Sequence, residues 1–257
     1  ADAWLADLQE HRVVADAAAR RALIVDGLQA AAASEGVEVR PDPELLDEVV
    51  DLVEWPVVVT CHLDPDFLDL PPKLLVESMR VHQRVFPTWK AGTDALTPVF
   101  LTVSNNPDGD EATIATGNGR VLSTRFSDAR FFFAEDEKKS LEVLGEKLER
   151  MQWIRGLGTM ADRQRRLSSL AERFTVDTYF DGDGEAVRRA ASLCKCDLTS
   201  LMVGEFPKLQ GHMGRQYALQ QGEDPKVAEA IEAHYLPRFS GDVLPQTPEG
   251  RALALAD

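Results

Sequence analysis

Cysteine is scarce. Cys61, Cys194 and Cys196 are the three in 257 residues, too few for a disulfide framework, and a reducing compartment is the natural expectation. No apolar run approaches the ~20 residues of a membrane-spanning helix. The opening residues, ADAWLADLQE, lack the basic and apolar regions of a secretory leader. A cytoplasmic location without a membrane partner is therefore expected. Nucleotide loops are missing too: there is no G-x-x-x-x-G-K-[ST] and no G-x-G-x-x-G after a strand. No G-x-S-x-G elbow surrounds a serine. Zinc needs clustered Cys and His, whereas Cys194-Lys195-Cys196 has the wrong spacing. Cys61 and His62 would point to opposite sides of a strand. Buried thiols acting as small apolar groups are the expected alternative, and neither a bound metal nor a bound cofactor is expected.

What is present is a core-forming chain of one or two domains. Apolar residues make up 44% of it, enough to bury a substantial interior and to argue against disorder. The net charge is −15, but it is unevenly spread. Residues 1–79 hold 17 Asp and Glu against 5 Lys and Arg. Residues 150–173 reverse the sign, with Arg150, Arg155, Arg163, Arg165, Arg166 and Arg173 facing Asp162 and Glu172. An acidic protein can hold a phosphate backbone on a local basic stripe. The plainer alternative is a solvated helix face.

The spacing of apolar residues predicts a helix over 5–33, broken at Gly36. A second helix is expected from Asp42, a good cap with Pro43 behind it. Val57–Cys61 reads as a buried strand and 72–83 as a helix. Residues 84–90 and 99–104 read as strands joined across AGTDA, and 105–109 as a loop. Helix resumes from Gly119 through Phe131–Phe133, three aromatics that cannot share one face. From Lys138 onward the chain reads as helical. Leu141, Leu144, Leu148 and Met151 form one stripe there, Gly156 and Gly158 interrupt it, and further helices follow through Leu167, Leu170 and Phe174, over 186–196, and from Asp224-Pro225 to Pro237. Residues 252–257 look like a helix cut short, so the chain is expected to be a piece of a longer protein. The expected fold is α+β and mostly helical, divided into a helical segment 1–40, a mixed α+β domain 41–137 and an all-α domain 138–257.

Arginine suits phosphate because its planar fork donates twice. Arg120, Arg125 and Arg130 recur every five residues, which does not make one helical stripe. Arg163 and Arg166 share a helix face beside Arg165, and Arg155 lies just upstream. These seven are the candidate RNA contacts. The alternative is that they pair with the carboxylates of residues 1–79.

Several blocks carry a family resemblance: LVEWPVVVT (52–60), RVFP (84–87), GNGRVLSTRFSDARFFFAEDEKK (117–139), LGT (157–159), KCDLTSLMVGEFPKLQGHMG (195–214) and HYLPRFSGDVLP (234–245). In this order they resemble the bacterial glycyl-tRNA synthetase β subunit, over its central region and its HD-like helical domain, with the latter truncated at its C-terminus. The resemblance implies a tRNA-binding and assembly role in a heterotetrameric class II ligase. In that family the partner α subunit uses ATP and magnesium to make the adenylate, tRNA-Gly is the substrate, and this chain holds no catalytic residue of its own. HD phosphohydrolases hold metal with a His, an adjacent His-Asp pair and a later Asp. Here Cys196-Asp197 would stand at the pair and Asp257 at the late position, with His212 and His234 nearby. Cys196 replaces a histidine, and no histidine lies between His82 and His212. A metal-dependent phosphohydrolase is thus the disfavoured alternative, because losing two nitrogen ligands removes most of a site's affinity. For Asp197 the plainer role is a helix cap or an ion pair with an arginine.

Overall fold

The computed structural model describes residues 2–176 and 181–257. The chain divides into two compact units, residues 1–130 and 131–257.

In the first unit, helices α1 (Asp2–Glu10) and α2 (Ala17–Glu35) precede strand β1 (Val37–Val39). Helix α3 (Pro43–Leu52) leads into β2 (Val57–His62). Helix α4 (Pro72–Ser78) runs on into a π turn at Met79–Gln83. Strands β3 (Phe86–Lys90) and β4 (Leu96–Ser104) follow, then the long helix α5 (Glu111–Glu137), which crosses the division at Arg130. The four strands form one antiparallel sheet in the order β1-β3-β4-β2. Cys61 stands opposite Phe100 and is buried, while its neighbour His62 is exposed, as strand alternation requires. Ile24 and Leu28 of α2, Leu45 and Val49 of α3, and Phe86 and Leu101 of the sheet share one core.

Two helix boundaries differ from the sequence reading. The single helix expected over 5–33 is two. Arg12 takes a positive φ of 58°, Val14 N–H is drawn to the Glu54 carbonyl, and Asp16 restarts the helix by accepting from Ala18 N–H. Helical periodicity cannot see such a break when no Gly or Pro marks it. Helix α5 starts at Glu111 rather than Gly119, because Asp110 accepts from the Thr113 N–H. Gly119 is an interior residue of that helix, where a Cβ would come 3.0 Å from the His62 carbonyl, so glycine lets the helix lie against β2.

In the second unit α6 (Leu141–Gly145) and a 3-10 turn (Glu146–Arg150) lead to a hairpin of β5 (Gln152–Ile154) and β6 (Gly158–Thr159). Then come α7 (Met160–Thr175), α8 (Gly184–Leu193), α9 (Leu201–Glu205), α10 (His212–Gln220), α11 (Pro225–Ala233) and α12 (Pro248–Ala256). Composition suggested only helix here. The glycines that interrupt the pattern both have positive φ and belong to the hairpin. Thr159 and Asp162 form a reciprocal capping box that starts α7. Ala190, Ala228, Ala230 and Ala252 are all buried, and such small side chains let α8, α11 and α12 approach closely. The aromatic run divides as expected: Phe133 packs at 5.8 Å from the Tyr217 ring, and Phe131 is exposed.

Asp136, near the end of α5, fastens this unit. It is buried and accepts from the N–H groups of Leu201 and Met202, both at 2.9 Å, and from the Tyr217 hydroxyl at 3.0 Å. Its oxygens thereby satisfy the first turn of α9. Replacing Asp136 with Ala strands two buried donors and one half-buried one, and a loss of about 3 kcal/mol in unfolding free energy is expected. Urea titration of D136A against the unsubstituted chain measures it.

Candidate functional site

The residues read as degenerate metal positions do come near one another, around a buried lysine. Lys195 takes a positive φ of 68° ahead of a 3-10 turn, Cys196–Thr199. That turn buries both Cys196 and Asp197. The Asp197 Oδ2 accepts from Gly211 N–H at 2.6 Å and Gly214 N–H at 3.0 Å. It therefore caps the start of α10, the helix-cap role considered above. Burial pushes its pKa up, and those two bonds only partly offset this. Glycine is needed at Gly211, where φ is +79° and a Cβ would collide with the Tyr235 ring.

The Lys195 ammonium lies 2.8 Å from Asp257 Oδ2 and 3.9 Å from the centroid of the Tyr235 ring. Burial pulls its pKa down, while Asp257 acts the other way. The second oxygen of Asp257 meets Arg163 at 2.9 Å. His234 donates from Nδ1 to the Ile231 carbonyl at 2.6 Å and packs on Tyr235, and His212 Nδ1 faces Glu232 at 3.1 Å. The Cys196 thiol is buried and pushed up to about 11, far from a reactive thiolate.

This donor set does not fit a divalent ion. Both Asp257 oxygens already face cations, and one Asp197 oxygen is spent on backbone N–H groups. Among the described residues, no group of three or more His, Cys, Asp or Glu is placed to hold a metal. The arrangement can fix helices to one another.

The seven candidate arginines fall in both units and have different surroundings. In the first unit Arg120 and Arg125 are exposed on α5 without an ion pair among the described residues. Arg130 donates to the Asp66 carbonyl and lies over the Phe67 ring. In the second unit Arg165 bridges Glu149 at 2.6 Å and Asp162. Arg163 and Arg166 both stack on Trp153, at 4.6 and 5.6 Å from its centroid, and Arg166 also donates to the Leu157 carbonyl at 3.0 Å. Arg155, at the hairpin tip, is exposed and has no ion pair among the described residues. The alternative of pairing with carboxylates of residues 1–79 is not what is seen for Arg163 and Arg165, whose partners lie in their own unit.

Sequence reasoning missed Trp153, Lys195 and Asp136. The doublet of glycines after Trp153 was a usable hairpin signal. A buried lysine leaves no mark in a pattern.

The second unit is thus a helical unit closed by internal ion pairs, with Arg163 and Arg166 stacked on Trp153. Comparison with known proteins gives the family. A family model described as glycyl-tRNA synthetase beta subunit matches residues 1–257. The chain is 44% identical over 256 residues to the glycine–tRNA ligase beta subunit of Syntrophomonas wolfei, covering 100% of this chain and 37% of that protein. It is 45% identical over 260 residues to the protein of the same name from Delftia acidovorans, and 43% identical over 260 residues to that of Moorella thermoacetica, again covering 100% of this chain and 37% of each relative. The chain belongs to the glycyl-tRNA synthetase β-subunit family. It spans a little over a third of the length of these relatives. No helix among the described residues is long and apolar enough to cross a membrane.

Burial, and then the nearby Lys195 charge, lowers the His234 pKa from 6.5 to about 3. The unfolded chain therefore takes up a proton that the folded chain refuses, and stability falls as pH drops below 6.5. Between pH 6.5 and 5 the urea midpoint should decline. His234→Asn, which can keep the bond to the Ile231 carbonyl, should flatten that decline.

Proposed function

We propose that this chain is a tRNA-binding and assembly segment of the β subunit of a glycine–tRNA ligase. It supports the ATP-dependent attachment of glycine to tRNA-Gly in the cytoplasm, beside an α subunit. On this reading ATP and magnesium are used at the α subunit, and this chain supplies surface rather than chemistry. The observation that carries the reading is the sign reversal in an acidic chain of net charge −15: residues 150–166 contain five arginines and one aspartate. Arg155 among them has no ion pair among the described residues. An unpaired guanidinium can meet phosphate without first breaking an internal bridge. Arg120 and Arg125 offer the same in the first unit. The phosphohydrolase reading fares worse, since Lys195 and Arg163 already neutralise Asp257.

The test is binding of labelled tRNA-Gly to the 257-residue chain over a range of salt concentrations. Affinity should fall with salt, by a log–log slope of about −0.7 to −0.9 for each phosphate neutralised. Arg155→Glu should reduce both affinity and slope, whereas Arg165→Gln, which removes a cation already held by two carboxylates, should change little. No binding at low salt would contradict the proposal.

A further inference from the structure

We propose that the β5–β6 hairpin is an aliphatic wedge that packs against the face of an unpaired or terminal base of RNA. The observation is an apolar display on a fixed support. Ile154 and Leu157 flank the turn and are 47% and 51% exposed. Between them stand Arg155 and Gly156, the latter at a φ of +89°, and Gly158 follows at +90°.

The turn is not a loose loop. Leu157 N–H donates to the Ile154 carbonyl at 2.9 Å, and Met160 N–H donates to the Met151 carbonyl at 2.8 Å below it. Arg166 of α7 holds the Leu157 carbonyl, and Trp153 is stacked by Arg163 and Arg166. Thr159 N–H is tied to Asp162 at 2.8 Å in the capping box. The hairpin is thus braced from α7, and its two aliphatic side chains are presented at little entropic cost.

Size and charge choose the partner. A stable protein–protein contact covers roughly 800 Å² on each side, far more than two side chains at a turn provide. One base face is the right scale, and aliphatic side chains are used as wedges against base steps. Arg155 is exposed at the tip and Arg150 is exposed just ahead of β5, in a stretch with five arginines and one aspartate, so a polyanion is complementary to the surroundings. This inference rests on the tRNA-binding reading above and adds a mode of contact to it.

Two measurements separate the inference from that reading. The first is tRNA-Gly affinity and salt slope for the double variant Ile154→Ser, Leu157→Ser. Affinity should fall roughly tenfold with the slope unchanged, because an apolar contact releases no counterions. The second is photocrosslinking from Ile154→p-benzoylphenylalanine, mapped on the tRNA-Gly transcript, with adducts expected at unpaired or terminal nucleotides. Unchanged affinity of the double variant, or adducts confined to duplex backbone or to protein, overturns the wedge while the tRNA-binding reading stands. If the unsubstituted chain binds no tRNA at low salt, both fall. Circular dichroism should show both variants folded, since the replaced side chains support no core.

Discussion

A single buried ammonium organises the second unit. Lys195 sits with 2% of its surface exposed, 2.8 Å from the carboxylate of Asp257. An isolated charge at that depth would be unsustainable, so the carboxylate must be there, and α12 must be held where it delivers it. The ammonium also covers one face of Tyr235, whose ring edge lies against Gly211. Gly211 and Gly214 in turn give their N–H groups to Asp197, next but one to the lysine. Four segments distant in sequence are thus locked through one charge: the 3-10 turn, the start of α10, the end of α11 and α12.

That lock has a consequence for what the unit can do. The carboxylates of Asp257 and Asp197 are committed to a lysine, an arginine and two backbone donors, and burial pushes the Cys196 thiol away from reactivity. Beyond this lock lies the surface of the unit. There the arginines differ in availability. Arg165 is held by two carboxylates, whereas Arg155 is exposed at a hairpin tip, and residue type alone would have ranked them equally.

Much of the architecture is legible in the residues because local signals dictate it. Asp42 with Pro43, Asp224 with Pro225, and the apolar run at Val57–Cys61 announce their elements by capping and by alternation. The family blocks were legible for a different reason, since their order is carried by the sequence itself. What was not legible depends on partners far along the chain. Asp136 looks like one more exposed acid on a long helix until α9 and Tyr217 close over it. Lys195 looks like a surface lysine between two cysteines until Asp257 arrives, 62 positions later. The break at Arg12 to Asp16 hides in an alanine-rich stretch because its cause, the carbonyl of Glu54, lies elsewhere. Of the candidate site residues, the spacing correctly put Arg163 and Arg166 on one face; that they share Trp153 needed the fold.

The most direct test of this account is a double-mutant cycle at Lys195 and Asp257, read by urea unfolding of the 257-residue chain. The account predicts that Asp257→Leu costs about 3 kcal/mol or more, since it strands the buried ammonium, and that Lys195→Met costs less, since Arg163 still faces the Asp257 carboxylate. The double variant should lose well under the sum, because no uncompensated lysine or carboxylate of this pair remains. Single losses that simply add, within about 0.5 kcal/mol, would mean that the two groups are energetically independent and would contradict the claim that this pair holds the unit together.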